Sequence, residues 1–94
     1  MYKTEDIIIE VENIKKTLEQ YLGYDSMVGG LISRSIKNLT DAQTLLENPS
    51  SKNAEEALAK VQIVKNDLSP YGSYAPKFMV DFNSLVDKIS KLEK

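Results

Sequence analysis

Ile7, Val11, Ile14, Leu18 and Tyr21 step along the chain by four, three, four and three residues. A half-buried strand would alternate at every second residue. This spacing instead lays the apolar side chains along one face of a helix. It predicts a first helix over about residues 4–22, with Ile8, Ile9 and Leu22 widening the face. Glu5 and Asp6 stand near its start, where the helix dipole favours negative charge, and Glu12 and Lys16 form an i,i+4 pair on the wet side. The same period returns three times. Val28, Leu31, Ile32, Ser35, Ile36, Leu39, Ala42, Leu45 and Leu46 predict a second helix over about 27–47. Ala57, Leu58, Val61, Val64 and Leu68 predict a third over about 54–68. Phe78, Met79, Phe82, Leu85, Val86, Ile89 and Leu92 predict a fourth over about 76–92.

The stretches between these periods carry turn chemistry. Asn48-Pro49 ends a helix, because proline pushes the residue before it out of helical geometry. Asn53, with Glu56 three residues on, reads as a helix cap close to a capping box. S-P-Y-G-S-Y-A-P, residues 69–76, holds two prolines and a glycine and predicts an irregular connection. Pro76 suits a first helical position, where its missing N–H would have no partner anyway. Gly23 reads as the C-cap of the first helix, and Asp25 or Ser26 as the cap of the second. Gly29-Gly30 either lets helices approach closely or marks a later start for the second helix. Inside a helix the pair would cost about 2 kcal/mol relative to two alanines.

Ninety-four residues make one domain with a modest core. Short connections make sequential helices antiparallel, so the expected fold is all-α, an antiparallel up-down-up-down four-helix bundle. In that topology the first and third connections lie at the same pole. Tyr21, Tyr24, Tyr71 and Tyr74 then gather there, four of the five tyrosines, near Gly29, Gly30 and the sole arginine, Arg34.

Composition removes most chemistry. There is no histidine and no cysteine, so the usual general base, metal ligand and thiolate are missing together. Gly29-Gly30 is not part of G-x-x-x-x-G-K-[ST]. A di-metal bundle site needs inward glutamates and Glu-x-x-His. Glu10, Glu12, Glu19, Asp41, Asp81 and Asp87 fall off the apolar faces and read as solvated. Ser33, Ser35 and Thr40 have no plausible base. The expectation is a protein that is not an enzyme and takes no cofactor or metal. A net charge of −2 with eleven scattered lysines gives no stripe for nucleic acid. No apolar run approaches about 18 residues, and the N-terminus is acidic where a signal peptide is basic. Direct membrane insertion is therefore not expected, and a cytoplasmic location is.

Two readings of the tyrosine pole stay open. A bundle end must be closed against water, and tyrosine does this with a ring for the core and a hydroxyl for solvent. Alternatively Tyr21, Tyr24, Arg34, Tyr71 and Tyr74 form a partner-binding surface, since tyrosine and arginine are favoured anchors. Ile9, Ile63 and Val80 lie furthest from the apolar faces; clustered, they would form a dimer patch.

The run L-T-D-A-Q-T-L-L-E-N-P-S-S-K-N-A-E-E-A-L-A-K, from Leu39 to Lys60, is followed by D-L-S-P-Y from Asp67 to Tyr71. Together they are similar in texture to the second loop and third helix of the enterocin A-type bacteriocin immunity proteins. The resemblance covers about half the chain, which departs from the family in its mild acidity. It implies a four-helix, non-catalytic protein that protects a producer cell from its own pore-forming peptide, through a complex with that peptide's membrane receptor. It assigns no role to any single residue. The alternative expectation is a homodimeric structural or regulatory helical-bundle accessory protein.

Overall fold

The structure is a computed structural model that describes residues 4–48, 50–74 and 76–92; for 72–74, 76–78 and 92 it describes the backbone alone. The described residues are all-α. Helices α1 (Thr4–Glu19), α2 (Leu31–Glu47), α3 (Ser51–Leu68) and α4 (Pro76–Leu92) alternate with two 3-10 segments, Leu22–Val28 and Ser69–Tyr74. Helix α1 packs against α2 and α4, and α3 packs against the same two. The first 3-10 segment lies on α2, and the second lies on α3 and α4.

The core follows the heptad-like steps of the sequence. Ile7, Val11, Ile14 and Leu18 of α1 meet Leu31, Ile32, Leu39, Ala42 and Leu46 of α2. Ala57, Val61, Val64 and Leu68 of α3 and Phe82, Leu85 and Ile89 of α4 complete the cluster. Burying a side chain such as Phe82 or Leu39 is worth about 1.5–3 kcal/mol. The helices thus hold mainly by what their apolar faces remove from water.

Polar ties cross between the helices at their edges. Gln43 of α2 donates through Nε2 to Glu12 Oε2 at 2.8 Å and to the Ile8 carbonyl at 3.4 Å, and accepts through Oε1 from Lys15 Nζ at 2.8 Å. One amide therefore engages two turns of α1. The Gln43 amide first, and the Lys15 ammonium after it, hold the Glu12 carboxyl below the usual glutamate range. Lys88 of α4 donates to Glu10 of α1 at 2.6 Å. Glu10 and Glu12 correct the sequence expectation, which put both on solvated faces: each is half-buried and bonded to another helix. Lys60 and Asp41 pair at 3.7 Å on the α2–α3 edge, where water screens them. Ser35 is buried at 1% exposure, and its hydroxyl finds no partner among the described residues.

The helix limits differ from expectation for local reasons. Helix α1 ends at Glu19, not near 22. Gln20 and Tyr21 donate to the Thr17 and Leu18 carbonyls at 3.2 and 2.9 Å, three-residue bonds that tighten the last turn and swing Tyr21 off the buried face. Helix α2 begins at Leu31 rather than 27, because Gly29 (φ 64°) and Gly30 (φ 79°) are both left-handed. Gly23, read as the C-cap of the first helix, lies inside the 3-10 segment instead and does not have positive φ. Helix α3 starts at Ser51, three residues early. Its cap is Ser50, in extended geometry, whose Oγ accepts from the Asn53 amide at 3.1 Å. Asn53 instead donates through its side chain to the Asn48 carbonyl at 2.6 Å. Residues 69–74 are 3-10 rather than irregular; the fixed φ of Pro70 is compatible with that geometry.

Candidate functional site

The α1–α2 junction is fastened by a glycine pair and two charged side chains, Asp25 and Arg34. Gly29 and Gly30 reverse the backbone in a conformation that disfavours side chains. The Gly30 amide donates to the Asp25 carbonyl at 2.9 Å, closing the C-terminal end of the 3-10 segment. Helix α2 then opens with an N-cap, Gly30, that has no side chain to offer.

Asp25 makes up for this from outside the helix. Its Oδ1 accepts from the Ser33 amide at 2.9 Å, and its Oδ2 accepts from the Ser33 hydroxyl at 2.5 Å. Ser33 is the third residue of α2, the position whose amide a local cap would satisfy. The carboxylate also meets the positive end of the helix dipole. The Ser33 hydroxyl first, then the Ser33 amide, with smaller help from the Ile32 amide and the Arg34 charge, hold the Asp25 carboxyl below the usual aspartate range. The sequence reading of Asp25 as a cap of the second helix is met in substance, but across eight residues rather than next to the helix.

Arg34 is the second fastening. Its Nη1 donates to the Gly29 carbonyl at 2.7 Å. The guanidinium, read from sequence as a free anchor for a partner, is engaged in holding the glycine turn.

What these contacts hold in place is apolar and exposed. The 3-10 segment contains no buried residue; Val28 alone packs against the core, and only partly. Tyr21 is 43% exposed, Tyr24 59% and Met27 78%, and Leu22 is exposed to a similar degree as Tyr21. Neither Tyr21 nor Tyr24 belongs to the buried core cluster. Tyr71, on the second 3-10 segment, is also exposed. Tyr74 closes that segment, and its side chain lies outside the described residues. Leu22 and Met27 are surface residues that sequence reasoning placed within helices. The available signal was the glycine pair, which delays α2 and strands everything from 20 to 28 outside both helical faces. Between Gln20 and Ser33 the only charged residue is Asp25, and Asp25 is engaged by Ser33.

Two further kinds of site are absent among the described residues. No group of three acidic residues could hold a metal ion, and no helix is long and apolar enough to cross a membrane. Ile9, Ile63 and Val80 are exposed, one each on α1, α3 and α4. Compared with known protein families, with curated proteins and with solved structures, the chain matches none.

Proposed function

We propose that the chain is a non-enzymatic binding protein whose working surface is the α1–α2 junction, and that it acts as an immunity protein in the cytoplasm of a cell that makes a pore-forming peptide. One observation carries the binding reading: a segment with four large exposed apolar side chains is fastened by Asp25 and Arg34 instead of being folded into the core. Exposing such residues on a held surface favours recognition, because a preorganised surface loses little freedom on binding.

The reading rests on α1–α4 forming an antiparallel up-down-up-down bundle. Three observations support that arrangement. Each helix packs on two others in a closed ring, α1–α2–α3–α4–α1. The ties Ile8–Gln43 and Glu10–Lys88 join the early part of α1 to the late parts of α2 and α4. Extents of 38 × 21 × 18 Å fit a body two helices wide in each short direction. In such a bundle the two 3-10 segments share one pole, and Tyr71 joins Tyr21 and Tyr24.

The test is protection. The chain is expressed in a strain sensitive to pore-forming peptides and challenged with a broad peptide panel. Protection is expected against at least one peptide. Tyr24→Ala with Met27→Ala should abolish it while melting temperature stays nearly unchanged, since neither side chain is buried. Failure across the panel removes the immunity reading. Protection that survives the double variant moves the working surface elsewhere.

A further inference from the structure

Resting on the binding surface proposed above, we infer that Met27 is a methionine-oxidation site, through which a peroxide switches that surface off and sulfoxide reduction switches it back on. Composition narrows the targets first. The chain has no cysteine, tryptophan or histidine, so its three methionines hold all of its sulfur and are the side chains that a mild peroxide attacks. Structure narrows them further. Met27 is 78% exposed, the most exposed of the large apolar side chains described. Met79, on α4, is half-buried, and Met1 lies outside the described residues. Oxidation follows access to the sulfur, so Met27 reacts ahead of Met79.

The step itself is an oxygen transfer. The Met27 sulfur lone pair attacks one oxygen of the peroxide. An S–O bond forms as the O–O bond breaks, and the departing hydroxide takes the proton of the transferred oxygen and leaves as water. Sulfur is oxidised by an electron pair and the peroxide is reduced by it. A thiol-dependent methionine sulfoxide reductase reverses the change, returning the oxygen as water while two thiols become a disulfide.

Position decides what the added oxygen does. In a core, a sulfoxide disrupts packing. The 3-10 segment that carries Met27 has no buried residue. Met27 also takes no part in the contacts that hold the segment, Asp25 to Ser33 and Arg34 to Gly29. The fold is therefore left intact while the surface changes. Among the exposed side chains of Tyr21, Leu22 and Tyr24, a flexible apolar thioether becomes a polar group with a hydrogen-bond acceptor. A partner that packs on the thioether would have to bury that oxygen unpaired, which disfavours binding. The glycine pair creates this situation. Met27 continues the apolar phase of α2, and the left-handed turn at Gly29 and Gly30 keeps it out of that helix.

Peptide mapping by mass spectrometry, followed in time on the folded chain in dilute hydrogen peroxide, tests the site. Met27 should gain oxygen at least about fivefold faster than Met79. Retention on a hydrophobic-interaction column should fall as Met27 oxidises, with helical content and melting unchanged, and methionine sulfoxide reductases should restore it. Met27→Leu should keep its retention through the same treatment, whereas Met79→Leu should lose it as wild type does. The inference is overturned if Met79 reacts as fast as Met27, if Met27→Leu loses retention too, or if helical content goes with the oxidation of Met27. The switch is read by Met27→Gln, a polar stand-in for the sulfoxide, in which protection should fall at least about tenfold. Protection that survives Met27→Gln but not Tyr24→Ala sinks the switch and leaves the binding reading standing. A wild-type chain that protects against no peptide, yet shows the Met27-dependent loss of retention, removes the immunity reading and leaves the oxidation site.

Discussion

Three residues, 48–50, carry the chain from α2 into α3; eleven, 20–30, carry it from α1 into α2. Both junctions join helices that pack side by side. The short one is polar and caps its helix locally, with Ser50 accepting from Asn53. The long one spends two left-handed glycines, a cap supplied from eight residues away and an arginine clasp, and it ends with large apolar side chains facing water. The α2–α3 pair shows that helices packed side by side in this chain can be joined by the short form. Helix pairs in bundles are routinely joined by as few as two residues. Length beyond that, held rigidly and left apolar, is better explained by what the surface meets than by what the core requires.

The most forceful way to break this comparison is to make the junctions alike. Grafting Asn48-Pro49-Ser50 in place of residues 20–30 should leave the helices folded, with stability changed by about 1 kcal/mol through the shorter closure. Protection should disappear. Urea unfolding and circular dichroism check the first outcome, and the assays above check the second. If the grafted chain fails to fold, the long junction is part of the core's own requirement and the argument from excess length collapses.

A less drastic change keeps the length and strains the turn. Gly29→Val with Gly30→Val places β-branched residues at positive φ, at about 1–2 kcal/mol each and about 2–4 kcal/mol together. The cost would be backbone strain and not a clash. An added Cβ at Gly29 meets nothing within 4 Å, and one at Gly30 meets only Arg34 Nη1 at 3.6 Å. Asparagine tolerates this region better, so Gly29→Asn with Gly30→Asn should recover most of the loss in denaturant midpoint. Equal losses for valine and asparagine would mean that space, not φ, decides.

The apolar faces were legible because they need only local information. The steps that named Ile7, Val11, Ile14 and Leu18 name residues that are buried, and so do Val61, Val64 and Leu68. The junction was less legible, for two physical reasons. Met27 and Val28 continue the apolar phase of α2, so periodicity alone carries the helix across them until the glycine pair intervenes. The contact that fixes the helix start, Asp25 to Ser33, depends on how the turn folds back, and no spacing rule encodes it. At the other junction Asn48, Ser50, Ser51 and Asn53 are all good capping residues. The choice of Ser50 over Asn53 turns on one extended backbone and not on residue type. Exposure of Tyr21 followed from the same cause: the helix stopped two residues short of it.

The finest test sets the two caps against each other, because one titrates and the other does not. Ser50→Ala removes a neutral acceptor and should cost about 1 kcal/mol, by the same amount at neutral and acidic pH. Asp25→Asn keeps one acceptor for the Ser33 amide and removes the charge. Its penalty should be smaller, since the carboxylate is solvated and partly screened. The sign of its pH dependence follows from the lowered pKa. The folded state holds this proton more weakly than the unfolded chain does. The stabilisation is therefore complete above the ordinary aspartate pKa of about 4 and fades as pH falls through the lower folded value. Wild type and Asp25→Asn should then converge in acid, while wild type and Ser50→Ala stay apart. Exchange of the Ser33 amide, followed against pH, reads the first pair directly. If Ser33 is equally protected in wild type and in Asp25→Ala at neutral pH, the aspartate does not hold the segment to α2, and the preorganised surface loses its fastening.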